Sequence, residues 1–244
     1  MSNEVTLDVT DAVATVTLNQ PLFTPASILG LENACEAIRD GDSARCVLIS
    51  GVSSGWDLDS FANEPEGTLS SDIFAPLATL MQPVVAAMEG EVSGGGLALA
   101  LVADIRVCGD DATFHLSEVA DGLIPLAGTI GRLIRAVGRG CALALILTGE
   151  TIDAAEAKRI GLVSEVTPAG KTLERAGEIA AQIARRGPIA VQYAKEAVSR
   201  GTEIPLEQAL RYETDLTILL QATKDRAEGV KAFVEKRQPD FKGE

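Results

Sequence analysis

The stretch Glu91–Asp104 reads EVSGGGLALALVAD: three consecutive glycines, Gly94, Gly95 and Gly96, followed by the wholly apolar run Leu97–Ala103. A helix that opens on glycine presents N–H groups with no carbonyl to bond four residues back. It also carries the positive end of the helix dipole and has no side chain to hold a ligand away. The aliphatic residues behind the glycines give such a helix a surface to bury. The segment therefore predicts an anion or oxyanion site built from main chain, with tight helix packing as the alternative use of the glycines.

On either side of this segment the pattern is extended, with Val84–Met88 before it and Ile105–Cys108 after it. Further upstream, EVTLDV and VATVTL alternate polar and apolar residues around TDA, the period-2 signature of a hairpin. A helix is expected over Ala26–Arg39, where Ile28, Leu31, Cys35 and Ile38 recur at helical spacing before Asp40-Gly41-Asp42 breaks it. A buried strand, Cys46–Ser50, and a helix around Ile73–Leu80 complete this half. From about Leu126 helical periods dominate and only Leu162–Val166 reads as extended. Asp153 with Glu156 marks a helix start, and Leu206–Glu235 forms a long amphipathic tail. The chain is α/β first and mostly helical afterwards, with no linker that would separate a second independent domain.

Composition bounds the function. A chain of 244 residues with 46% hydrophobic content can bury a sizeable core. A formal charge of −14 repels nucleic-acid backbones, although it leaves room for a small anion held locally. The apolar runs Leu97–Ala103 and Cys141–Leu147 fall far short of the roughly 20 residues a membrane span needs. The N-terminus MSNEVTLDVTDAV lacks the pattern of a signal peptide, so a cytoplasmic location is expected. Cys35, Cys46, Cys108 and Cys141 are far apart in apolar contexts, which predicts buried reduced thiols. His115 is the one histidine, so no histidine-rich metal site is expected and the metal assignment is none.

Two further motifs compete for the chemistry. Gly51-Val52-Ser53-Ser54-Gly55 matches the nucleophile elbow of serine hydrolases, with Ser53 as nucleophile and His115 as base. Against it, the following WDLDSFANEPEG is loop-like where the elbow needs a helix, and the histidine comes early. The glycine triplet also fails as a dinucleotide fingerprint, since Leu99 stands where the third glycine would be.

GVSSGWDLDSF, EVSGGGLALALVADIRV, ATFHLSEVADGLIPLAG, LTGETIDAAEAKRIGLVSEV and VKAFVEKRQPDF together, in this order, resemble the enoyl-CoA hydratase/isomerase, or crotonase, family. The resemblance spans nearly the whole chain. It implies a crotonase-like ββα spiral core over residues 1–190 and a C-terminal helical oligomerisation region over 191–244, assembled as a homotrimer or a hexamer made of two trimers. It implies an acyl-CoA thioester as substrate and partner, with no cofactor beyond the coenzyme A of the substrate, and no nucleic-acid or membrane partner.

Carried over to matching positions, the resemblance implies an oxyanion hole made by the main-chain N–H groups of Trp56 and Gly95. Gly94, Gly96, Ala98, His115 and Asp121 line the pocket, and Glu118, ahead of a G-L-x-P turn, is the acid–base. One preorganised donor aimed at a developing oxyanion is typically worth ~3–4 kcal/mol. Side chains at the glycines would, on this reading, occupy the ligand's approach. Hydratases of the family carry a second glutamate where this chain has Ala98, so double-bond isomerisation with Glu118 alone is favoured over hydration. Decarboxylation, C–C bond formation and a catalytically silent acyl-CoA-binding relative are the other outcomes the same site allows. His115 stands where the family often has glycine, as a pocket donor or a strand-end side chain. The segment NQPLFTPASI has no Lys or Arg to grip the CoA phosphates, which leaves Lys231, Lys236 and Arg237 in the tail.

Overall fold

The computed structural model describes residues 4–61 and 72–244. Strands β1 (Val5–Thr10) and β2 (Val13–Leu18) form the expected hairpin, with Asp11 and Ala12 at positive φ in the turn. Helix α1 (Pro25–Asp40) follows, started by a capping box in which Thr24 and Ser27 bond each other's main chain. Then come β3 (Cys46–Ser54), α2 (Ala75–Ala78), β4 (Val84–Ser93), α3 (Gly94–Ala100), β5 (Ile105–Gly109) and β6 (Thr113–His115). The second half holds α4 (Thr129–Thr148), β7 (Ile152–Asp153), α5 (Ala154–Arg159), β8 (Glu165–Thr167) and α6 (Thr172–Ala184). Helices α7 (Pro188–Gly201), α8 (Leu206–Gln221) and α9 (Lys224–Glu235) end the chain.

Strands β2, β3, β4, β5 and β8 pair in parallel, which requires crossover connections, and α1 and α3 provide two of them. Both faces of this sheet are covered, so its strands read as continuous apolar runs. Leu48, Val85, Ala87 and Val107 pack on Ala176, Ala180 and Ala184 of α6. The opposite face packs on α1, α3 and α4 in the main core.

Two departures from regular strand geometry place the site. At Gly90, φ +64°, β4 changes partner from β5 to β6, so one strand belongs to two directions of sheet. In β3 the register shifts twice between Ile49 and Ser54, and Gly51 turns at φ +74° where a Cβ would sit 2.1 Å from the Leu18 carbonyl oxygen. Both bends act at the C-terminal ends of the strands and bring the end of β3 against the start of α3.

The tail differs from the single long helix that its pattern suggested. It breaks at Ala222, and Thr223 caps α9 by accepting from the Arg226 N–H. The expected division at 190/191 falls inside α7, since the helical arm starts at Pro188. That arm exposes Val198 (70%), Leu206 (74%), Phe233 (83%) and Val234 (73%), apolar side chains that nothing among the described residues covers. Cys35, Cys46 and Cys108 are buried free thiols, as expected, and burial pushes Cys46 up to about 12.

Candidate active site

Strand β4 runs into α3 with no intervening loop. Ser93, extended at φ −142°, is the N-cap and makes no side-chain cap bond, so the first N–H groups of α3 are left without a helical acceptor. Gly94 makes the change of direction at φ +43°, a region that favours glycine.

The end of β3 lies against this turn. Gly55 donates to the Ser93 carbonyl at 3.1 Å and accepts from the Phe23 N–H at 3.3 Å, while Asp57 donates to the Phe23 carbonyl at 3.0 Å. These bonds form a parallel bridge between Phe23 and Trp56. Such a bridge uses the residues on either side of Trp56, so the Trp56 N–H turns away from Phe23. The two expected main-chain donors thus sit on adjoining segments.

Why Gly95 is glycine needs a correction. A Cβ there would lie 2.8 Å from Phe23 Cδ2, 3.0 Å from the Gly55 oxygen and 3.1 Å from Trp56 Cδ2. It would strike protein before it met a ligand. The glycine is what lets the two donor segments touch, so the packing role and the site role are one requirement.

Glu118 opens a short 3₁₀ turn, Glu118–Asp121, that Gly122 ends at φ +74°; the Leu123 N–H closes it by donating to the Glu118 carbonyl at 2.9 Å. Its Oε2 is buried with no partner among the described residues. Burial pushes its carboxyl above the usual range, opposed by a bond from its own main chain and by His115, and helped by the negative charge of Asp121. Asp121 itself is exposed. His115 ends β6 and pairs with Ser93 across the ladder. Its Nε2 is 3.9 Å from Glu91 Oε1, and its Nδ1 is buried without a partner among the described residues. Ala98 is fully buried and offers a methyl group.

The unpartnered buried side-chain atoms among the described residues are Trp56 Nε1, His115 Nδ1 and Glu118 Oε2. Leaving such atoms unpaired costs about 1–3 kcal/mol each, so their presence at three expected site positions points to a ligand that would satisfy them. From sequence, a bulky residue at position 56 is open to two readings, core packing or a wall limiting the acyl group. Its ring packs in an aromatic cluster, with centroid 5.7 Å from Phe23, 6.2 Å from Phe74 and 6.3 Å from Phe61, partners the sequence did not indicate. Nor did it single out Glu91.

The other expected residues are elsewhere. Arg237 is held by Glu228 at 2.5 and 2.8 Å and by Glu235 at 2.7 Å. Four residues on, the Phe241 carbonyl accepts from Arg45 at 2.7 Å, at the end of β3 opposite the site. The tail that carries Lys231, Lys236 and Arg237 is thus anchored near the start of β3, and the oxyanion segments lie at the other end of that strand. The elbow reading is also overturned: β3 continues through Ser53 and leads to the Phe23–Trp56 bridge, where an elbow requires an immediate helix. The Ser53 side chain lies outside the described residues, and Ser53 is no longer a candidate nucleophile.

Residues 8–244 match the family model described as enoyl-CoA hydratase/isomerase. The chain is 39% identical to 2,3-dehydroadipyl-CoA hydratase of Escherichia coli (strain K12), over 95% of both chains. It is 35% identical to (E)-benzylidenesuccinyl-CoA hydratase of Thauera aromatica, covering 98% of this chain and 99% of that protein. The crystal structure of an enoyl-CoA hydratase from Bacillus anthracis superposes with a TM-score of 0.93 at 36% identity, covering 99% of this chain and 100% of the other.

Proposed function

This chain is an enzyme of the enoyl-CoA hydratase/isomerase family with the crotonase fold, and on that premise we propose that it moves a double bond in an enoyl-CoA with Glu118 as the single acid–base. The observation that carries the reading is the buried, unpartnered Glu118 Oε2 combined with a fully buried alanine at position 98. In a 3-enoyl thioester the Glu118 carboxylate takes a proton from C2. The electron pair spreads as a dienolate onto the thioester oxygen, which the Trp56 and Gly95 N–H groups stabilise. Glu118 then returns the proton to C4, leaving a 2-enoyl thioester. One group suffices because the same carboxyl takes a proton at C2 and gives one back at C4, exchanging with solvent in between.

Hydration is the second reading, and His115 is what favours it. Adding water calls for a second group to handle a proton, and His115, with an unpartnered Nδ1 and close enough for its charge to act on Glu118, is suited to that. The relatives above are also named as hydratases. A panel of 2-enoyl- and 3-enoyl-CoAs incubated in deuterated water and followed by mass spectrometry separates the two. The isomerase reading expects interconversion of the 2- and 3-enoyl forms with deuterium at C2 and C4, undiminished in His115→Ala. Hydration at enzymatic rates, lost in His115→Ala while exchange survives, would replace it with the second reading.

The substrate-binding assembly is proposed to be a trimer or a pair of trimers. The exposed apolar side chains of α7, α8 and α9 support this, as does the anchoring of the tail with Lys231, Lys236 and Arg237 near the start of β3, which leaves a neighbour's tail to hold the CoA phosphates. Light scattering at micromolar concentration is expected to give a multiple of three times 25.5 kDa, and a stable monomer would contradict the assembly.

A further inference from the structure

Trp56 contributes more to the site than its main-chain N–H. An indole Nε1 can only donate a hydrogen bond, and this one is buried with no acceptor among the described residues. The ring has little freedom to find one. It stacks on Phe74 with an interplanar angle of 18° and meets Phe23 and Phe61 at tilted and near-perpendicular angles. The aromatic packing presses the indole against the first turn of α3, where a methyl group built on Gly94 would sit 3.3 Å from Trp56 Cδ1 and 3.5 Å from Nε1. The indole Nε1 therefore lies at the glycine turn that starts α3. An unpaired donor fixed at the start of α3, in a site read as stabilising an enolate oxygen, is placed to serve that oxygen.

We propose that the indole N–H of Trp56 is a third hydrogen-bond donor to the thioester oxygen, joining the main-chain N–H groups of Trp56 and Gly95. The inference rests on the acyl-CoA reading above. An enolate oxygen has lone pairs for more than two donors, and a donor held rigid by packing needs no reorganisation as charge develops. A side chain at this position can also be changed without touching the backbone.

Trp56→Phe keeps the main-chain N–H and an aromatic ring in the cluster and deletes only the donor. The expected result is a loss of kcat on the order of 10²-fold with KM changed little, because the bond strengthens as charge reaches the oxygen. A purely structural tryptophan predicts kcat within a few-fold of the parent. Trp56 is the single tryptophan, so ¹⁵N labelling gives one indole N–H resonance in the unmodified protein, which keeps the question open to test even if the variant folds poorly. That resonance is expected to move downfield with butyryl-CoA, a saturated thioester, and to stay in place with free CoA. Binding of butyryl-CoA by calorimetry without a shift, or an equal shift with free CoA, overturns the third donor alone. No binding of butyryl-CoA, hence no shift, overturns the acyl-CoA reading along with it.

Discussion

Glu118→Gln is expected to bring enoyl-CoA turnover down by roughly 10²–10⁴-fold and to remove solvent exchange at C2 and C4, because an amide cannot accept those protons at neutral pH. The substitution preserves shape, so the loss reports chemistry. Burial is the leading cause that raises the Glu118 carboxyl, and this sets two pH dependences with the same origin. As a base it must be ionised, so kcat/KM of the parent rises as pH passes upward through the raised value. Stability runs the other way. A carboxyl whose folded pKa exceeds its unfolded one stabilises the fold below the unfolded value, and that contribution is lost as pH rises through the folded value. Gln carries no such dependence, so the variant is expected to melt higher than the parent at pH 7–8, with the difference fading toward pH 4. A Gln variant that keeps its exchange would show that another group, His115 or Asp121, is the base.

How far the site could be read from sequence follows from which contacts are local. The helix that starts at Gly94 and the turn that carries Glu118 are set by neighbours in the chain, and both are where the glycine triplet and the G-L-x-P pattern put them. The parallel strands were visible as apolar runs because both of their faces are buried. Contacts between distant segments left no such trace. Phe23, Trp56, Phe61 and Phe74 come from a loop, a bridge, a 3₁₀ turn and a short helix edge, and no periodicity links them. The bend of β4 at Gly90 was invisible for the same reason: a glycine within an extended run says nothing about which partner each half will take. The break between α8 and α9 did have a local signal, Thr223 in N-cap position, but the amphipathic pattern continues across it. His115 is the informative case. Its place next to the glycine turn depends on the β4–β6 ladder, and sequence distance from Ser93 conceals that the two residues are paired.

Gly95→Ala is expected to lower kcat/KM on the order of 10²–10³-fold, the cost typical of losing one oxyanion donor, and to lower stability by about 1–3 kcal/mol through overpacking. The methyl group would begin 2.8 Å from a Phe23 ring carbon and 3.0 Å from the Gly55 oxygen. The ring can yield by a rotation. The oxygen cannot yield so easily, because it accepts the Phe23 N–H in the bridge that also aims the Trp56 N–H. Relief of the clash must therefore separate α3 from the 55–57 segment, and that is the separation between the two donors. A single methyl thus acts on activity through geometry it does not itself touch. Gly95→Val adds two more carbons at the same point and is expected to cost the fold itself. Gly140→Ala serves as the contrast, because a Cβ there meets nothing within 4 Å and the residue lies in α4 just past Gly138, where a φ of +76° interrupts the helix. It should leave kcat/KM unchanged and raise stability by at most about 0.5 kcal/mol, since the residue is in a first helical turn. Thermal melts and steady-state kinetics on the two alanine variants decide the matter: a folded Gly95→Ala protein with parental kcat/KM would remove Gly95 from the oxyanion site, and with it the reason for the glycine triplet.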